Sequence, residues 1–233
     1  MTRAATDDPD TLRDILTRTT ALLLDFDGPV CSVFAGIAAT TVVSQLCVVL
    51  ADGGHGDLPP DLEKSDDPFE VLAYAASLGE TEARYVNAAF TAHELDAIAT
   101  AEPTPGAHDL IRAWSATHRP LAIVSNNSTT AIRAYLDLHN LTAHVAHVSA
   151  RTSPDPALLK PHPHLLTNAL TALGVAATAA TFLGDSVTDI TAAHAAGTMS
   201  IGYINKPGKA TQLITACADT VIRTPAIITK NLM

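Results

Sequence analysis

Short apolar runs that each stop at a polar residue constrain the fold of this chain more than any other feature. Ala21-Leu22-Leu23-Leu24-Asp25 is an apolar run closed by a carboxylate. Leu121-Ala122-Ile123-Val124-Ser125, Ala180-Thr181-Phe182-Leu183-Gly184-Asp185 and Met199–Tyr203 repeat the form, and weaker runs lie at Val145–Val148 and Thr220–Ile222. Runs this short and this continuously apolar read as strands buried on both faces. Helical patterns fall between them at 106–117, 128–138, 163–173, 188–196 and 207–217, and a first helix at 10–19 is expected to be capped by Asp10. Strands alternating with helices predict an α/β fold, a parallel sheet with helices on both faces. In open sheets of this kind ligands bind beyond the carboxyl ends of the strands. Asp25, Ser125 and Asp185 are therefore expected on one rim.

The interval 32–102 breaks the alternation. It carries no convincing strand but fits three helices, at about 33–50, from Asp67-Pro68-Phe69-Glu70 to Gly79, and at about 81–100. Asp67 suits an N-cap, Pro68 the first turn, and Glu70 completes a capping-box-like spacing. Gly53-Gly54-His55-Gly56-Asp57-Leu58-Pro59-Pro60 reads as the loop between the first two. The expected organisation is a core domain from 1–31 and 103–233, with an inserted α-helical domain at 32–102 above the rim.

Composition narrows the function classes. A chain of 233 residues with 47% hydrophobic and 16% charged residues is globular. Fourteen Lys+Arg against 24 Asp+Glu give a net charge of −10. That balance argues against nucleic-acid partners, and any anionic substrate must be met by a local cation. Gly28–Ala51 has no charged residue and is long enough to span a bilayer. Ser32, Thr40, Thr41, Ser44 and Gln45 interrupt it, so it reads as buried helix and no membrane association is expected. No secretory signal is read at the N-terminus. Three cysteines without CxxC spacing fit a reducing compartment, the cytoplasm.

The chemistry concentrates at the run ends. Asp25-Phe26-Asp27-Gly28 puts two carboxylates on one side of an extended chain, which is unfavourable without a nearby cation or proton. The plain alternative is a solvated turn. Gly28 permits a tight turn and a close backbone approach to a ligand. Gly184-Asp185-Ser186-Val187-Thr188-Asp189 adds two more acids, although Ser186 or Thr188 capping a helix with Asp189 on its dipole is an equally ordinary reading. Four hard oxygen donors at one edge suit Mg²⁺. Ser125-Asn126-Asn127-Ser128 ends a strand and opens a helix, so it is either a phosphate cradle or a simple cap. Lys160, followed by Pro161, is one of only five lysines, and an exposed loop lysine is its plain alternative.

In order and spacing these elements resemble the four motifs of the haloacid dehalogenase superfamily: Asp25-x-Asp27-Gly28, Ser125, Lys160-Pro161 and Gly184-Asp185-Ser186-x-x-Asp189. The resemblance implies a Rossmann-like core with a helical cap of the phosphoglycolate-phosphatase-like type, and Asn205-Lys206-Pro207-Gly208-Lys209 is similar to a loop of that subfamily. It implies a Mg²⁺-dependent phosphatase acting on a small phosphorylated metabolite through an aspartyl-phosphate. Asp25 is then the nucleophile and Asp27 the acid and base. Gly28, Ser125, Asn126 and Lys160 bind phosphate. Asp25, the Asp27 carbonyl, Asp185 and Asp189 form the metal shell. Pro29 departs from the family, which usually has Thr or Val there, and removes an N–H.

The same superfamily holds dehalogenases, phosphomutases and phosphonate hydrolases. Asp27 argues against a dehalogenase, whose reaction needs no leaving-group acid. A phosphonate hydrolase resembles a Schiff-base enzyme with a cap lysine, and Lys64 is the only candidate, set among Asp61, Glu63, Asp66 and Asp67. A mutase and a non-catalytic binding or regulatory protein stay open. The histidine pairs His162/His164 and His144/His147 lack metal-site spacing. Arg151 is expected to be an exposed arginine bordering the rim, Cys31 a packed thiol, and His93 and Glu94 cap residues that could face substrate.

Overall fold

The computed structural model describes residues 6–232; Met1–Ala5 and Met233 lie outside it, and with them the N-terminal residues bearing on a signal sequence. Helix α1 (Pro9–Arg18) leads into β1 (Ala21–Leu24), and β2 (Cys31–Ser32) follows the Asp25–Gly28 turn. Next come α2 (Ala39–Asp52), α3 (Pro60–Glu63), α4 (Pro68–Leu78), α5 (Glu80–Ile98) and β3 (Glu102–Pro103). The remainder alternates: α6 (Ala107–Ala116), β4 (Leu121–Ser128), α7 (Thr129–Leu138), β5 (His147–Arg151), α8 (His164–Leu173), β6 (Ala180–Gly184), α9 (Val187–Ala196), β7 (Met199–Tyr203), α10 (Lys209–Thr215), β8 (Thr220–Ile222) and α11 (Ala226–Lys230).

The main sheet runs β5-β4-β1-β6-β7-β8, every neighbouring pair parallel. All four residues of β1 are buried, as its unbroken apolar run requires of a central strand. Alternation divides them between two layers. Leu22 and Leu24 pack with Leu12, Ile111, Trp114 and Tyr135. Ala21 and Leu23 pack with Phe182, Leu166, Ala169 and Ala192. The strand order turns back on itself beside β1, so the carboxyl ends of β1, β4 and β6 open a crevice.

The inserted helices form an α-helical cap whose Val42, Val43, Leu46, Leu72, Val86 and Phe90 belong to the same apolar cluster as Leu23 and Phe182 of the sheet. Phe69 sets its ring edge-on to Phe90 at 5.0 Å. No helix among the described residues is long and apolar enough to cross a membrane.

Several local expectations need correction. Asp8, not Asp10, caps α1, its carboxylate accepting from the Asp10 N–H. The first cap helix starts only at Ala39, after Ala38 in an extended conformation. A short helix, α3, begins where a loop is read. Asp67 caps α4 by accepting from the Phe69 N–H at 2.9 Å, but its own N–H goes to Ser65, so Glu70 closes no box. The cap is also bounded by strands: Cys31 pairs with Pro103 and Ser32 with Glu102 in a two-residue antiparallel ribbon. Two-residue strands are too short to show a hydrophobic period.

Candidate active site

The first carboxylate stands one residue beyond β1. Asp25 is buried, and its N–H donates to Leu183 O on β6. Its Oδ1 accepts from the Phe26 N–H and lies 2.8 Å from Lys160 Nζ. The turn that follows closes on Phe26 O, which accepts from both Val30 N and Cys31 N. It uses no donor at position 29, so Pro29 fits there at no hydrogen-bonding cost. Gly28 has φ +106°, its N–H donates to Cys31 O, and its carbonyl accepts from Thr104 Oγ1. A Cβ there would lie 2.7 Å from Asp185 Cγ. The close approach that Gly28 allows is thus to the Asp185 carboxylate, and its backbone donor is already engaged.

Asp189 sits in the first turn of α9 inside a complete capping box. Ser186 Oγ accepts from the Asp189 N–H, and Asp189 Oδ2 accepts from the Ser186 and Asp185 N–H groups. The ordinary capping reading holds, but it engages only one carboxylate oxygen. The other, Oδ1, lies 2.7 Å from Lys160 Nζ and has no partner besides that ammonium.

Lys160 lies on a turn but is not an exposed lysine. It is 6% exposed, and its ammonium sits between Asp25 and Asp189 with Val124 O at 3.3 Å. Asn126 holds its backbone in place: Oδ1 accepts from the Lys160 N–H at 2.8 Å and Nδ2 donates to the Lys160 carbonyl at 3.1 Å. Ser125 is buried and donates through Oγ to Asn127 Oδ1. Ser128 caps α7.

One ammonium faces two buried carboxylates, which leaves a net negative charge in a poorly solvated place. Burial, then the neighbouring Asp189 charge, push Asp25 up to about 8 despite Lys160. Burial acts on Asp189 too, but Lys160 prevails and holds its carboxyl below the usual range. Burial also works against the Lys160 ammonium, and the two aspartates more than restore it. Asp27 stands at the mouth with Oδ1 accepting from the Val33 N–H, and the loss of solvent around its carboxyl, with a smaller push from the Asp185 charge, moves it up to about 6.

Asp25, Asp185 and Asp189 each offer a carboxylate oxygen, all within 4.8 Å of one another, the only such gathering of acidic, histidine or cysteine ligands among the described residues. The set is all hard oxygen, it is short of positive charge, and Asp189 Oδ1 has no partner but the Lys160 ammonium. On those three grounds the trio can hold a divalent metal. The Asp27 side chain is not part of it. Asp185 is held by Lys209 Nζ at 2.7 Å and Asn205 Nδ2 at 2.8 Å, both from the 205–209 loop noted in the sequence for its resemblance, where no role was read for either side chain.

A cavity of about 250 Å³ opens over Asp25, Asp27, Lys160 and Asp189, with Asp67 and Phe69 of the cap on its far wall. A second, of about 450 Å³, shares Asp27 and Asp185 and is lined by Phe34, Tyr203 and Lys206. A hollow of about 470 Å³ between α1 and the C-terminal residues touches none of these groups. Lys64 is exposed at the end of α3 and lines neither active-site cavity. Arg151, expected at the surface, is 3% exposed and pairs with Glu94 of α5 at 2.6 Å; Glu94 is fully buried and lines neither active-site cavity.

Comparison with known proteins agrees with this architecture. A family model described as haloacid dehalogenase-like hydrolase matches residues 19–197. No curated protein matches the chain. Among solved structures, a Haemophilus somnus protein described as a predicted phosphoglycolate phosphatase aligns with TM-score 0.65 and 20% identity, over 94% of this chain and 100% of that one. A haloacid dehalogenase family hydrolase of Deinococcus radiodurans, solved with bound phosphate and sodium, aligns with TM-score 0.57 and 26% identity, over 90% and 93%. CbbY of Rhodobacter sphaeroides, in complex with phosphate, aligns with TM-score 0.61 and 20% identity, over 89% and 95%. With the family model spanning most of its length and the same sheet carrying the acidic rim, the chain belongs to the haloacid dehalogenase-like hydrolases.

Proposed function

We propose that the protein is a Mg²⁺-dependent phosphatase that hydrolyses a small phosphate monoester through an aspartyl-phosphate on Asp25. The observation that carries this reading is the Lys160 ammonium bridging Asp25 and Asp189, with Asp185 beside them. The phosphate in the Deinococcus and Rhodobacter relatives supports the substrate class. We take 1–31 and 103–233 as the core domain and 32–102 as the cap. The buried thiols of Cys31 and Cys47 accord with the cytoplasm.

A carboxylate oxygen of Asp25 attacks phosphorus, forming an O–P bond as the bond to the leaving oxygen breaks. Asp27 donates its proton to that oxygen. It then takes a proton from water, which attacks phosphorus, releases phosphate and restores Asp25. A carboxyl poised near 6 suits a group that must both give and take a proton close to neutral pH. Lys160, with Ser125 and Asn126 at the end of β4, meets the transferred phosphoryl oxygens, and Lys160 offsets the acidic pair. Gly28 contributes by leaving room for Asp185. Asp25, Asp185, Asp189 and the Asp27 carbonyl would hold Mg²⁺, which when bound would supply the charge neutralisation needed for one anion to approach another. A screen of phosphate monoesters with and without Mg²⁺, repeated with Asp25→Asn, tests the reading. The expected result is metal-dependent hydrolysis abolished in a folded variant; wild-type-like turnover by Asp25→Asn refutes it.

A further inference from the structure

We propose that Glu94 of the cap and Arg151 of the core are positioning residues: a buried ion pair through which the cap helix α5 sets the geometry of the segment Ser125–Ser128. This rests on the phosphatase reading for what that segment binds, though its geometry stands apart from it.

Almost every polar atom of the pair is directed at this segment or at α5. Glu94 Oε1 accepts from Asn127 Nδ2 at 3.0 Å. Glu94 Oε2 accepts from the Ser128 N–H at 3.0 Å and from Arg151 Nη2 at 2.6 Å. Arg151 Nε donates to Asn126 O at 3.0 Å. Its Nη1 reaches back to Asn87 Oδ1 and Thr91 Oγ1. Asn87, Thr91 and Glu94 recur at helical spacing on one face of α5, and the guanidinium lies 4.6 Å from the Phe90 ring centroid.

The consequence reaches the reacting groups by two links. Glu94 takes the amino end of the Asn127 amide, which forces the carbonyl end toward Ser125 and fixes the Ser125 hydroxyl. Arg151 fixes the carbonyl of Asn126, whose side chain carries the Lys160 backbone. A buried ion pair rarely adds net stability over well-packed apolar side chains of the same volume. Its distinctive contribution here is direction, because planar guanidinium and carboxylate groups fix their partners in angle as well as distance.

The test compares Glu94→Gln with Asn87→Ala. The first removes the charge and one acceptor from the segment. The second loosens the outer grip of α5 on Arg151 and leaves every bond to residues 126–128. With an aryl phosphate and Mg²⁺, Glu94→Gln should lower kcat about 100-fold with KM within about threefold, the scale of a small misplacement of reacting groups. Asn87→Ala should keep kcat within about threefold. Amide hydrogen exchange supplies a readout independent of turnover: Ser128 should lose protection in Glu94→Gln and retain it in Asn87→Ala. Should Glu94→Gln fail to fold, Asn127→Ala cuts the same link and should show the same fall in kcat. Unchanged kcat and unchanged Ser128 exchange in a folded Glu94→Gln overturn the inference, as do equal losses in both variants. A wild type without hydrolysis but with the exchange pattern above would instead overturn the phosphatase reading alone.

Discussion

Replacing Gly28 by alanine separates what this turn contributes to stability from what it contributes to chemistry. At φ +106° an L-residue is strained by about 1–2 kcal/mol, which for a chain of this size lowers Tm by roughly 2–8 °C. The added methyl also meets the Asp185 carboxylate, with Cγ at 2.7 Å and Oδ1 at 2.8 Å. An ordinary contact is about 3.5 Å, so the carboxylate must retreat by about 0.8 Å. It is a side-chain end and yields cheaply in energy, but it leaves its place among the metal-binding oxygens, and a shift of that size costs about 100-fold in rate. Gly54 is the control, because it has φ +94° and nothing within 4 Å of the added methyl. Both variants should lose similar Tm by circular dichroism. Only Gly28→Ala should lose Mg²⁺ affinity by calorimetry and turnover on an aryl phosphate. Wild-type Mg²⁺ binding and turnover in Gly28→Ala, or an equal loss in Gly54→Ala, would refute the reasoning.

Lys160→Met leaves the ionised Asp189 buried without its cation, beside an Asp25 that largely keeps its proton at neutral pH, and should cost about 3–5 kcal/mol there. Urea denaturation should show that loss shrinking as pH falls and the carboxylates take up protons. For metal-free wild type, Asp25 and Asp27 are raised above the unfolded value of 3.8, to about 8 and about 6. The native state therefore holds more protons through that range, and their contribution is complete below about pH 4 and lost as pH rises toward 8. Mg²⁺ binds the ionised form, so its stabilising effect in thermal melts should be larger at pH 8 than at pH 5; a shift that is flat across that range refutes the linkage.

The sheet was legible in the sequence because buried parallel strands announce themselves as unbroken apolar runs with polar ends. β1, β4, β6 and β7 start where their runs start. The cap helices were legible where local chemistry marks them, as Asp67 and Pro68 mark α4. The ribbon of β2 and β3 was not, since its pairing joins residues some seventy positions apart. At the site, spacing drew attention to Asp25, Lys160, Asp185 and Asp189, and folding gathers them around one ammonium and one cluster of oxygens. Arg151 was misjudged because a lone arginine is most often exposed, and its burial depends on Glu94 arriving from another element. The polar stripe Asn87, Thr91, Glu94 was visible as a spacing, but nothing in one sequence says which face of α5 meets the core.

The position of β1 in the sheet has a consequence for synthesis. Its neighbours are β4 on one side and β6 on the other, and β6 begins at Ala180. A nascent chain that has already exposed Asp25 therefore still lacks the strand that flanks it, the acidic pair of the 184–189 turn and the lysine between them. Pairings over such separations close late. The ribosome consequently releases most of this polypeptide before the acidic rim can assemble on it, and a chain cut short ahead of α9 lacks Asp189 and cannot complete that rim.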